Sequence, residues 1–169
     1  QGPRVAEFER KVAKRCDVKY AVAVSNGSAA LHVAMQSLGL KAGDRLWTSP
    51  ITFVASANCA RYCGADADFV DIDPRTYNMS LEALSAKLEA AEREGTLPAV
   101  VVPVHFAGQP CELSAIADLA DRYGFAVVED AAHAIGAQYA GTTIGDCTFS
   151  RLATFSFHPV KIFTTGEGG

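Results

Sequence analysis

Short, largely apolar segments recur along this chain, and each is separated from the next by a stretch whose apolar residues are spaced three and four apart. The first kind comprises residues 20–24 (YAVAV), 44–49 (DRLWTS), 67–72 (ADFVDI), 99–106 (AVVVPVHF) and 125–129 (FAVVE). The second comprises residues 5–16, 29–39, 52–62, 81–91 and 112–123. Strands apolar on both faces must be covered on both, and a mostly parallel sheet with helices on each side does so. The pattern predicts an α/β fold of that kind, and 169 residues suffice for one such domain. Ligands of these folds sit beyond the carboxyl ends of the strands, so the loops there are where chemistry is sought.

Local signals sharpen the elements. Pro3 suits a first helical turn, Gly39 can close the second helix, and Ser80 is placed to cap the helix that starts at Leu81. Pro103 removes a donor from the 99–106 strand, which predicts an edge or a bend there. Phe53 falls in the first turn of the 52–62 helix, where its ring is either core filler or faces a ligand crevice.

Charge and cysteine usage exclude several functions. Nineteen acidic residues against 15 basic ones are interspersed along the chain, with no basic tract to follow a nucleic-acid polymer. No apolar run reaches bilayer-spanning length, and the opening residues lack the apolar stretch of a signal peptide, so neither membrane nor secretion is expected. Five cysteines without CxxC spacing read as reduced thiols of a cytoplasmic protein. Cys59 and Cys63 could share a helix face, yet no second ligand pair accompanies them, and no metal is expected. The chain starts already entering a helix and stops on Gly168-Gly169 after an apolar segment, so both ends read as cuts through a longer protein.

Three groups of residues carry chemistry. Lys161 stands in ATFSFHPVKIFTTGEGG among aromatic and β-branched residues; loss of hydration there would leave a nucleophilic amine able to form a Schiff base with a carbonyl. The alternative is a surface lysine whose stem covers its apolar neighbours. The turn Ser25-Asn26-Gly27-Ser28, between an expected strand and helix, offers backbone N–H groups at a positive dipole end, an anion site or a plain helix cap. Glu129-Asp130 puts a carboxylate where a core strand ends; it could bind magnesium, a backbone turn or a protonated heterocyclic nitrogen. His105, His133, Ser156 and His158 fall at the same expected crevice. A carbonyl-trapping lysine, an acid for a pyridine nitrogen and an anion-binding turn are together the requirements of pyridoxal 5'-phosphate (PLP).

The segments VSNGSAALHVAM, SPITFVASANCARYCGADADFVDID, VVVPVHFAGQPCE, VVEDAAHAIGA and FSFHPVKIFTTGEGG resemble the DegT/DnrJ/EryC1/StrS sugar-nucleotide aminotransferases, of fold-type I. The pairing of SNGSAALH with FSFHPVK looks most like the branch that acts on UDP-linked 4-keto-6-deoxy-N-acetylhexosamines in pseudaminic-acid synthesis. The resemblance implies that Lys161 binds the PLP aldehyde and moves the proton, that Asp130 holds the ring nitrogen, and that His133 approaches the ring hydroxyl. It implies phosphate contacts from Gly27, Ser28 and Ser156, stacking by Phe53, and transfer of an amino group from glutamate to a keto sugar nucleotide. Related dehydratases carry histidine where Lys161 stands, which favours transamination. His158 is expected to make local hydrogen bonds. Family members also have a smaller C-terminal domain, absent from residues 1–169, and build the site across a homodimer, so residues 1–169 alone could be inactive. Another fold-type I reaction and a non-catalytic PLP-binding module remain open; a dinucleotide-binding domain is disfavoured because SNGSA lacks GxGxxG spacing.

Overall fold

The computed structural model describes residues 2–169. Helix α1 (Pro3–Cys16) is followed directly by α2 (Gly27–Ser37); from there α2, α3 (Ala55–Tyr62), α4 (Leu81–Glu94) and α5 (Leu113–Tyr123) alternate with strands β1 (Arg45–Thr48), β2 (Asp66–Phe69), β3 (Val100–Val102) and β4 (Ala126–Asp130). A small antiparallel hairpin, β5 (Gln138–Tyr139) and β6 (Thr142–Thr143), precedes β7 (Leu152–Thr154). The main sheet has the order β2-β1-β3-β4-β7 and every pairing in it is parallel. The α/β expectation holds, while the hairpin and β7 carry too few residues to show as periodic segments.

Side-chain alternation along the strands divides the core in two. Leu46, Val100, Val102 and Val128 pack with Leu31, Met35, Ala55 and Cys59 of α2 and α3 on one face. Trp47, Val101 and Val127 pack with Leu84, Leu88, Leu113 and Ile116 of α4 and α5 on the other. Successive residues of a strand point to opposite faces, so a run such as Val100-Val101-Val102 feeds both cores. Ser80 caps α4 as expected, its Oγ accepting from the Ala83 N–H at 3.2 Å.

Three expectations are corrected. Residues 20–24 form no ladder strand: Tyr20 and Val22 are each 74% exposed, and only Val24 pairs, in both directions, with Gly169. A strand exists by virtue of its partner, which local sequence does not name. The 67–72 segment yields a shorter, largely exposed edge strand, β2, rather than one buried on both faces. Pro103 lies just past β3 in the middle of the sheet rather than at an edge; pairing with β4 resumes around it, the Asp130 N–H donating to Pro103 O at 3.0 Å and the His105 N–H to Asp130 O at 3.1 Å. Among the described residues no helix is long and apolar enough to cross a membrane.

Candidate active site

Helix α2 begins at an Asn-Gly-Ser turn. Asn26 is its N-cap, its Oδ1 accepting from the Ala29 N–H at 2.8 Å. Capping consumes one of the free donors of the first turn and leaves those of Gly27 and Ser28 for an anion. Gly27 presses against the segment after β7: a Cβ added there would lie 2.9 Å from the Ser156 Cβ and 3.2 Å from its Oγ. Glycine is therefore required by close approach, which brings the Ser156 hydroxyl beside the helix terminus. Among the described residues neither Ser28 nor Ser156 spends its hydroxyl on a protein partner.

Asp130 closes β4 and is 6% exposed. Its Oδ1 accepts from the Ala132 N–H at 3.2 Å and its Oδ2 from the Ser56 hydroxyl at 2.6 Å. These bonds offset much of the cost of burying a carboxylate at a strand end. Phe53, 67% exposed, lies ahead of α3 rather than in its first turn and presents its ring to the same cavity. The helix starts at Ala55, which leaves the 51–54 segment outside it.

Lys161 projects from the loop after β7. Its Nζ lies 3.0 Å from Nε2 of His133, three residues beyond Asp130. The loop is held by Phe157, which is buried against Phe8 (5.0 Å between ring centroids) and Phe163 (5.1 Å). It is also tied by the Phe157 N–H to Gly168 O and the Thr165 N–H to Phe157 O, at 2.9 and 3.1 Å. The loss of hydration expected from sequence is not supplied by the flanks of Lys161, because Val160 and Ile162 are 77% and 63% exposed. Its environment comes instead from the cavity wall. Burial pushes the His133 pKa below the usual imidazole value, the Lys161 charge adds to this, and Asp130 opposes both. His133 is accordingly placed as a neutral acceptor for the Lys161 ammonium.

Gly27, Ser28, Phe53, Asp130, Ser156, His158 and Lys161 line one cavity of about 410 Å³, with His133 reached through Lys161. One expectation differs here. His105 is fully buried away from the crevice: the Cys111 N–H donates to its Nδ1 at 3.1 Å, so Nε2 carries the hydrogen and donates to Glu129 Oε2 at 2.9 Å. Glu129 also takes the Ser150 hydroxyl at 2.6 Å, which makes it a core anchor while its neighbour Asp130 faces the cavity. His158 does make local bonds, its Nδ1 accepting from the Val160 N–H at 3.3 Å. Sequence reading missed Ser56, which only the fold brings to Asp130, and Phe157, whose aromatic character was a signal without a partner. A larger, mostly apolar groove of about 500 Å³, between residues 18–24 and β7, includes Glu9 and Lys19 in its lining, with Glu9 Oε1 accepting from the Ala23 N–H at 2.9 Å.

The donor set fits PLP: an anion turn with two unspent hydroxyls at one wall, a carboxylate held by its own donors at another, and a lysine between aromatic and imidazole groups. The family model of the DegT/DnrJ/EryC1/StrS aminotransferases matches residues 1–169. This chain belongs to that family. Among relatives of this DegT/DnrJ/EryC1/StrS chain, GDP-perosamine synthase of Caulobacter vibrioides is 44% identical, over 99% of the chain and 43% of the relative. Helicobacter pylori PseC, an aminotransferase involved in pseudaminic acid biosynthesis, superposes with a TM-score of 0.88 at 28% identity, covering 99% of the chain and 43% of PseC. The PLP form of Spr1654 from Streptococcus pneumoniae gives 0.85 at 28% identity, over 100% and 45% of the two chains. The DegT/DnrJ/EryC1/StrS chain thus spans less than half the length of these proteins.

Proposed function

We propose that the protein to which residues 1–169 belong is a PLP-dependent aminotransferase that moves an amino group from an amino acid, expected to be glutamate, to a 4-keto-6-deoxy sugar nucleotide. The observation that carries the reading is the meeting of Lys161, Asp130 and the Gly27-Ser28 turn around one cavity, although they are far apart in the chain. When bound, PLP supplies an aldehyde that condenses with amines and a ring that takes up electrons from the neighbouring carbon. Gly27, Ser28 and Ser156 would hold its phosphate, Asp130 its ring nitrogen, Phe53 its face, and His133 its hydroxyl side.

Each of these side chains has a defined task. Asp130, held by Ser56 and the Ala132 N–H, presents a fixed negative charge, and a nitrogen facing it stays protonated. Lys161 would supply the amine for the aldehyde and would be the base and acid that holds and moves a proton at its Nζ. His133 accepts from Lys161 and orients it. Phe53 lines the cavity and would lie against one face of the ring.

Similarity to PseC supports the pseudaminic-acid branch, with the UDP linkage inferred from the resemblance of the motifs. A second reading, a GDP-linked keto sugar, is favoured by the 44% identity to GDP-perosamine synthase. A smaller C-terminal domain and a second copy of the chain would complete the site, and a cytoplasmic location fits such substrates. The test is intact-mass measurement after borohydride reduction with PLP. One fixed adduct is expected on the full-length protein and none on Lys161→Ala; an adduct of equal yield on the variant would refute the assignment. Turnover of UDP- and GDP-linked keto sugars with glutamate then separates the two substrate readings.

A further inference from the structure

We propose that Thr52 and Ser56 form a hydroxyl relay that positions Asp130 and Phe53 as one unit around the cofactor ring. The inference deepens the PLP reading and rests on it. Ser56 is fully buried, and its Oγ lies within hydrogen-bond distance of three oxygens: Asp130 Oδ2 at 2.6 Å, Thr52 Oγ1 at 2.7 Å and Phe53 O at 3.2 Å. A serine has one hydrogen to give. An ionised carboxylate accepts only, so the short, charge-assisted bond to Asp130 takes that hydrogen. Ser56 must then accept from Thr52, and the relay runs in one direction, from Thr52 O–H to Ser56 O–H to the Asp130 carboxylate.

The relay has two ends that matter. At one end Asp130 Oδ2 is occupied, while the Ala132 N–H occupies Oδ1, so the carboxylate cannot rotate freely and presents a set edge to the cavity. At the other end is the 51–54 segment, which carries Phe53 over the same cavity outside any helix. The Ser56 N–H also donates to Phe53 O at 3.1 Å, so residue 56 grips that segment through its backbone as well as its side chain. The acid and the ring-covering phenylalanine are 77 residues apart in sequence (130 − 53) and are joined through this serine. Serially linked hydroxyls polarise one another, so losing the link to Asp130 should silence Thr52 as well. Thr52 and Ser56 act through Asp130 and Phe53 and are positioning residues.

The experiment compares Ser56→Ala, Thr52→Val, Thr52→Ser and the double variant Ser56→Ala/Thr52→Val in the full-length protein. PLP affinity is read by titrating the visible absorbance band, and ring orientation by the circular dichroism of that band. Ser56→Ala should weaken PLP binding by about tenfold, the lower bound for a hydrogen bond to a charged group, and change the amplitude of the dichroic band. Thr52→Val should weaken it by a few-fold, Thr52→Ser should restore it, and the double variant should match Ser56→Ala alone. Multiplying effects in the double variant, or unaltered affinity and dichroism in Ser56→Ala, would overturn the relay while leaving the cofactor assignment standing. A parent protein that takes up no PLP would overturn both.

Discussion

Gly27→Ala separates stability from binding. Gly27 opens α2 with an ordinary negative φ, so alanine fits the backbone and by helix propensity alone would stabilise by about 0.5–1 kcal/mol. The added Cβ would, however, stand 2.9 Å from the Ser156 Cβ, where carbons in contact keep about 3.5–4.0 Å. Overpacking of that size costs about 1–3 kcal/mol. The net loss is then between about 0 and 2.5 kcal/mol, a fall in melting temperature of at most roughly 10 °C for a domain of this size. Relief requires Ser156 and the turn to move apart by more than half an ångström, which misplaces a hydroxyl and two N–H donors meant for one phosphate. Losing one hydrogen bond to a charged group corresponds to about a 10- to 100-fold rise in the PLP Kd. Calorimetry and spectral titration read the two quantities. Adding Ser156→Gly should restore melting without restoring affinity, because it removes the clash and the hydroxyl together. Unchanged PLP affinity in Gly27→Ala would refute the assignment of this turn to the phosphate.

Two further outcomes follow from buried groups. Glu129→Ala strands the neutral His105 Nε2–H in the core and frees the half-buried Ser150 hydroxyl, so urea unfolding should show a loss of about 1–3 kcal/mol; an unchanged midpoint would show that the pair does not anchor β4. His133 has a folded pKa below its ordinary 6.5, so the unfolded chain binds more protons between the two values; its contribution to stability is complete above pH 6.5 and is lost as pH falls through the folded value. An NMR titration of His133 should therefore show a midpoint below 6.5 that rises in Lys161→Met but stays depressed, because burial is the larger cause. A midpoint unmoved by Lys161→Met would contradict the 3.0 Å contact.

Alternation of apolar segments was enough to read the layered α/β architecture, because the central strands' need for cover on both faces is written in their own residues. The Ser80 cap was legible for the same reason, since a cap acts within three residues, and α2 was read only one or two residues late, near Ser28 or Ala29 where the helix starts at Gly27. Lys161, Asp130, His133, Phe53 and the Gly27-Ser28 turn stood out by residue type and by family resemblance. What local sequence could not supply was partnership across the chain. Residues 20–24 have the composition of a strand but no ladder, His105 sits at a strand end yet turns into the core toward Glu129, and Ser56 gains its role from an aspartate 74 residues away. Lys161 owes its setting to His133, 28 residues earlier, while its immediate neighbours face outward. Short-range spacing determines which elements form. Only packing decides which hydroxyl, imidazole or carboxylate meets which, because those contacts depend on how the elements are stacked rather than on what lies beside each residue in the chain.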